Sequence, residues 1–317
     1  MTTAADREDE KGEQEGTFAH PALFYRDGRE YADRTVDFVR EGLALGEPVA
    51  VAVPGPRLEL IGAGLGPDAE DVLLLDMTEV GRNPGRIIPG VLRAFADAHR
   101  HARVRIIGEP VWAGRSSVEY PACAQHEALI NAAFEGRAAT ILCPYDETRL
   151  DADVLADARI THPTLIAEGR ERASDAYDWQ AVVDRYNEVL VPAPDAAVLS
   201  FGSAELPEVR HFAVDRAARL GLRGQRLQDA ELAVAELTTN SVVHGGGQGT
   251  LWIWAEAGQV VCEVRDRGRL TDPLAGRRPP ARGQIGGRGL MLVHYVADLV
   301  RLHTAPDGTT VRFYLGL

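Results

Sequence analysis

Glu236, Asn240 and His244 stand four residues apart in the stretch AELTTNSVVHGGG, residues 235–247, which then breaks into three glycines. A step of four residues turns an α-helix by only about 40° beyond a full turn, so the three side chains would form one ridge. A carboxylate, a neutral amide and an imidazole in a column have definite chemistry. The glutamate can take a proton from a hydroxyl or a water. The amide oxygen of Asn240 can enter the shell of Mg2+, a hard cation that takes oxygen donors and bridges phosphates. Asparagine is a poor mid-helix residue, which tells slightly against an idle surface position. Beside the ridge, Leu227, Ala230, Val234, Leu237 and Ser241 make a mostly apolar stripe suited to a core. Taken alone, the column is also what a solvated helix face would look like.

Two further segments carry polar or conformational signals. In VVCEVRDRGRL a strand-like alternation of Val261, Glu263 and Arg265 runs into Asp266-Arg267-Gly268. By itself a D-x-G of this kind is an ordinary turn. In GQIGGRGLMLVHYVAD, Gly283, Gly286, Gly287 and Gly289 precede an apolar helix pattern. Free amides at a helix start make an anion site, although a loop before a core helix is equally described.

Larger elements must position these residues. The chain has 317 residues, 45% hydrophobic and 26% charged, enough for two cored domains. From His20, the runs ALFY, PVAVAVP, DVLLLD, VRIIGEP and AATILCPY alternate with helix-like segments near 29–44, 84–100, 117–136 and 149–159. Strands without polar alternation, separated by helices, predict a doubly wound α/β domain with a parallel sheet, closing on a helix at DWQAVVDRYNEVL. Ligands of such sheets lie beyond the strand C-termini, here GEPVW (108–112) and CPYD (143–146). The second domain reads as α+β: helices over 205–220 and 225–244, strands GTLWIWAEA, QVVCEVRD and TTVRFYL, and a helix near 288–299. The expected organisation is an acidic disordered tail (1–16), an α/β domain (17–191), a linker running into a short strand (192–204) and the α+β domain (205–317).

Composition excludes several classes. The only lysine is Lys11, so neither domain has a Walker, Schiff-base or general-base lysine. Residues 198–317 carry 14 Arg against 12 Asp and Glu, a net +2, so of the total of −13 residues 1–197 carry −15. An acidic front half argues against direct nucleic-acid binding. There is no apolar run long enough for a membrane span and no h-region at the N-terminus, so a cytoplasmic location is expected. Cys123, Cys143 and Cys262 are odd in number and far apart, and read as small buried hydrophobes in a reducing compartment instead of a disulfide framework or thiolate metal site.

In combination, E-x-x-x-N on a helix, D-x-G after a strand and G-x-G-L opening the next helix resemble the N, G1 and G2 boxes of the GHKL ATPase superfamily, over roughly 198–317. The resemblance implies a Bergerat-type ATP-binding sandwich using ATP and Mg2+. It makes Glu236 the general base and Asn240 the Mg2+ ligand, with His244 the last residue of its box. Asp266 would receive the adenine amino group, and Gly268 would let the base approach. Gly287, Arg288 and Gly289, with Arg282 less firmly, would close on the phosphates. Thr309 or Thr310, preferably Thr310, would take the place of the family's nucleotide-contacting threonine.

SFGSAELPEVRHFAVDRAARLGL followed by DAELAVAELTTNSVVHGG is similar to the compact anti-sigma-factor serine kinases. HPALFY, GEPVWAGR, HEALINAAF and CPYD resemble a MEDS sensory domain, the module named for methanogen and methylotroph sensors. That pairing implies phosphorylation of a serine on a STAS-domain antagonist and sequestration of a sigma factor, and it allows a homodimer. A nucleotide-gated binder without phosphotransfer stays open as the alternative. A sensor histidine kinase is disfavoured, since His126-Glu127 lies inside the front βα rhythm and His211 is followed by Phe212.

Overall fold

The computed structural model describes residues 16–279 and 287–317. The expected tail (1–16) falls almost wholly outside them, as do Arg282, Gly283 and Gly286. Two compact units are present, one of residues up to 81 with 87–183, the other of 82–86 with 184–317.

The first unit runs β1 (Phe18–Ala19), β2 (Pro21–Tyr25), α1 (Gly28–Ala44), β3 (Val49–Val53), α2 (Gly55–Leu65), β4 (Val72–Asp76), α3 (Met77–Val80), α4 (Arg93–Ala98), β5 (Val104–Gly108), α5 (Tyr120–Ala133), β6 (Ala139–Asp146), α6 (Ala152–Thr161), β7 (Thr164–Ala167) and β8 (Arg170–Ala173), ending at α7 (Trp179–Arg185). Its sheet has the order β4-β3-β5-β6-β2-β7-β8, with β1 also on β6. Every pairing is parallel except β7 with β8. The all-apolar strand VAVAV is buried along its whole length, as a sheet covered on both faces requires. Asp27 starts α1 by accepting from the amides of Arg29 and Glu30 at 2.9 Å.

Two expectations fail locally. The helix expected over 84–100 breaks into a 3-10 turn at Pro84–Arg86, a π turn at Ile88–Leu92 and only then α4. Pro84 and Pro89 each remove a backbone donor and cannot sit inside a regular α-helix. Conversely α2, with Gly55, Gly62 and Gly64 among its eleven residues, carries too weak a helix signal to be foreseen.

The second unit continues with β9 (Ala197–Gly202), α8 (Leu206–Arg219), α9 (Gly224–His244), β10 (Gln248–Glu256), β11 (Gln259–Asp266), α10 (Gly289–Val296), β12 (Leu299–Ala305) and β13 (Gly308–Gly316). Its sheet, β12-β13-β11-β10-β9, is antiparallel throughout. The expected linker is therefore partly structural: residues 197–202 are an edge strand, and the unit begins at 184 instead of 205. β12 was not anticipated, because it follows α10 with only Ala297 and Asp298 between them. Strand alternation sends Val260, Cys262, Val264, Val311, Phe313 and Leu315 into one core with Val209 and Ala213 of α8, Val234 and Leu237 of α9, and Val293 of α10. All three helices thus pack on one face of the sheet. On the other face Glu263, fully buried, pairs with Arg312 (Nη2 at 2.5 Å, Nε at 2.8 Å) and with Arg265 at 3.2 Å. The same two arginines donate to the carbonyls of Val191 and Leu190 and so hold that segment on the sheet.

Candidate functional site

The predicted stripe of α9 is the buried one: Ala230, Val234, Leu237 and Ser241 face the core and leave Glu236, Asn240 and His244 on the adjoining ridge. The glycines after His244 have a specific reason. Gly245 ends α9, its amide bonded to Ser241 O at 2.9 Å, while Gly246 and Gly247 take φ of 87° and 85°. These left-handed conformations turn the chain at once into β10, and only glycine adopts them at no steric cost.

The same bend brings the end of α9 against the end of β11. Arg267 N donates to Gly245 O at 3.2 Å. A Cβ at Gly245 would overlap the Asp266 carboxyl, and one at Gly268 would lie 2.6 Å from His244 O. Glycine at both places is thus a condition of the close approach. Asp266 is fixed at this junction, with Oδ2 accepting from Ser241 Oγ at 2.7 Å and Oδ1 from Gly268 N at 2.8 Å. A carboxylate has about four acceptor positions, so it retains capacity for an outside donor.

A cavity of about 540 Å³ opens beside Asp266. Its apolar walls include Leu237, Val264, Leu274, Leu290 and Val311; Asn240, Ser241, His244, Asp266, Gly268 and Thr309 supply polar edge, and Gly287 and Gly289 close one side. Arg269 and Arg278 stand on its lining. The size is that of a small-molecule site, and the mixture of apolar wall and a few fixed polar groups suits a heteroaromatic base with a charged tail.

Asn240, His244, Asp266, Gly268, Gly287 and Gly289 all lie on this one cavity. Glu236 is adjacent: a Cβ placed on Gly289 would lie 2.5 Å from Glu236 Oε2 and 3.2 Å from Asn240 Nδ2. Two expected residues stand off the cavity lining. Thr310 turns its side chain away and accepts from Arg265 Nε at 3.2 Å, because Asp266 pairs with Thr309 and strand parity puts position 310 on the outer face. Thr309 lines the cavity instead, donating to Gly268 O at 2.8 Å and accepting from Leu270 N at 3.2 Å. Arg288 is the exposed N-cap of α10 and does not line the cavity. Sequence reasoning missed Ser241 as the partner of Asp266. A lone hydroxyl in an apolar stripe was the available signal.

In the first unit, the strand ends singled out from sequence also carry a polar group each. Glu109, after β5, is buried and accepts from Tyr31 Oη at 3.0 Å. Burial pushes its carboxyl up to about 8, with Tyr31 and Arg57 opposing the rise. Asp146, at the end of β6, accepts from Arg57 at 3.0 Å and from Thr148 N at 3.0 Å. His126 lies in α5 only 1% exposed, which bars it from presenting its ring to an incoming phosphoryl group.

Comparison with known proteins agrees with this division. Residues 19–163 match the model of the MEthanogen/methylotroph, DcmR Sensory (MEDS) domain, and residues 200–315 match that of the histidine kinase-like ATPase domain. A solved structure of the RsbU and RsbW domains of a Mycobacterium tuberculosis protein aligns at 19% identity over 40% of this chain, with a TM-score of 0.29. The alignment spans 34% of that chain. No curated protein matches. Among the described residues, no helix is long and apolar enough to cross a membrane.

Proposed function

We propose that this chain, which joins a MEDS sensory domain to a histidine kinase-like ATPase domain, is a cytoplasmic anti-sigma regulator with ATP- and Mg2+-dependent serine/threonine kinase activity. Its substrate would be a STAS-domain antagonist, and a sigma factor would be its other partner. The observation that carries the reading is the convergence of Asn240, Asp266, Gly268, Gly289 and Thr309 on one cavity, with the Glu236 carboxylate directly beside Gly289. The anti-sigma assignment itself rests on the sequence resemblance over α8 and α9.

The residues suit the groups they would hold. Asp266, already clamped by Ser241 and Gly268 N, offers its remaining acceptor capacity to an adenine amino group. Thr309 ties Gly268 and Leu270 into the wall on which a base would rest. Asn240 supplies a neutral oxygen for Mg2+, which when bound would offset phosphate charge. With no lysine in this domain, Arg269 and Arg278 on the cavity lining would be the cations that meet anionic oxygens. Glu236 would accept the proton of a partner's serine hydroxyl.

Incubating the purified chain with γ-labelled ATP, Mg2+ and cell lysate tests this. Acid-stable label on a small partner, absent with Asn240→Ala, is the expected result. Nucleotide binding without transfer would replace the kinase by a nucleotide-gated binder. Acid-labile label on the chain itself would restore a histidine-kinase mechanism.

A further inference from the structure

Four side chains far apart in sequence meet inside the MEDS domain: His20 between β1 and β2, Glu127 on α5, Cys143 on β6 and His162 directly after α6. None is more than 2% exposed. One ligating atom from each lies within 4.8 Å of all the others. His162 Nε2 is 3.1 Å from Glu127 Oε2, Cys143 Sγ is 3.5 Å from His20 Nε2, and His20 Nε2 is 3.8 Å from Glu127 Oε2. In a tetrahedral zinc site with ordinary bond lengths, the ligand–ligand edges are about 3.3 Å for N to O and about 3.5 Å for S to N. The three closest separations lie within about 0.5 Å of these edges, and the widest of the set is no more than 4.8 Å.

Hydrogen bonding behind the cluster fixes which atoms face inward. Asn131 donates its amide to Ala128 O and Thr161 O, at 3.0 and 2.9 Å, which turns Oδ1 towards His20 Nδ1 at 3.2 Å. His162 Nδ1 lies 2.8 Å from Ala158 O, which can only accept. The network therefore assigns the proton of each neutral ring to Nδ1 and leaves both Nε2 lone pairs pointing at Glu127 and Cys143. Such an arrangement, with the outer N–H of each imidazole anchored on an oxygen, is how proteins orient metal-ligating histidines. Neither Glu127 oxygen nor His162 Nε2 makes a well-directed hydrogen bond, despite the 3.1 Å separation.

We propose that His20, Glu127, Cys143 and His162 bind one divalent transition metal of the zinc type. Two imidazoles, a carboxylate and a thiolate give the mixed N, O and S set of a borderline cation, and not that of Mg2+ or Ca2+. A dication with one thiolate and one carboxylate is electrically neutral, which a site this deeply buried requires. Four protein ligands complete a tetrahedron, so the metal acts as a staple joining β6, α5, the end of α6 and the entry to β2. The odd, dispersed cysteines rule out a thiolate-rich site, but a single cysteine is enough for this one.

The site is independent of the kinase assignment, and its test needs no activity. The full-length chain, stripped with chelator, is offered Zn2+ or Co2+, and bound metal and the Co2+ absorption spectrum are measured. About one metal per chain is expected, with tetrahedral d–d bands and a thiolate-to-cobalt charge-transfer band. Cys123→Ala should retain all three signals, whereas Cys143→Ala and His162→Ala should lose the charge-transfer band and at least about tenfold in affinity. Folded wild type that takes up neither ion would overturn the proposal. So would uptake without a thiolate band, or full retention of metal by Cys143→Ala with its circular dichroism unchanged.

Discussion

Replacing Gly289 by alanine separates stability from chemistry in the second unit. The new Cβ would sit 2.5 Å from Glu236 Oε2 and 3.2 Å from Asn240 Nδ2, where ordinary contact begins at 3.4 Å. The glutamate oxygen must therefore retreat by about 0.9 Å, the difference between those two distances. It is the tip of a flexible side chain, so the backbone need not move. Gly289 does not use positive φ and lies in the first turn of α10, where alanine is a better helix former by up to about 1 kcal/mol. Melting temperature should therefore hold or rise slightly. Displacing a reacting group by about 1 Å costs on the order of a hundredfold in rate. Initial phosphotransfer rates at saturating ATP should fall 10- to 100-fold, by about that estimate, while binding of a fluorescent ATP analogue changes far less. A full transfer rate in a stably folded Gly289→Ala would show that the position of Glu236 does not matter, and the general-base role would be lost.

Thr309→Ala should weaken nucleotide binding by roughly 5- to 30-fold through loss of the Gly268 and Leu270 bonds, and Thr310→Ala should leave it near wild type; isothermal titration with ATP compares them. Glu263→Gln leaves two arginines facing a neutral amide at a fully buried site. It should destabilise the second domain by about 3 kcal/mol and lower its Tm by roughly 10 °C or more in calorimetry. Glu109, raised by burial to about 8, holds its proton in the folded state where the unfolded chain has released it. Its stabilising contribution is therefore complete below about 4.5, declines as pH rises towards 8 and is lost above it, a change on the order of 5 kcal/mol. Denaturant titrations from pH 5 to 8 should show that slope in wild type and a flatter profile in Glu109→Gln.

Local rules were enough for much of this protein. The period of four along α9 made both its buried stripe and its polar ridge legible, because helix geometry relates those positions without reference to anything else. Asp266-Arg267-Gly268 and the glycines after His244 were readable because turn chemistry is local. Unbroken apolar runs between helices marked the parallel sheet, since only a strand covered on both faces can dispense with polar alternation. Nothing local could choose between Thr309 and Thr310. That choice follows from the register of β11 on β13, where one residue of slip would exchange the cavity face for the outer one. Ser241 became the support of Asp266 only when α9 was laid against β11. Still less could sequence spacing reveal His20, Glu127, Cys143 and His162. They lie on separate elements of a doubly wound sheet, and such folding brings strand and helix ends together without leaving any short-range trace in the order of residues.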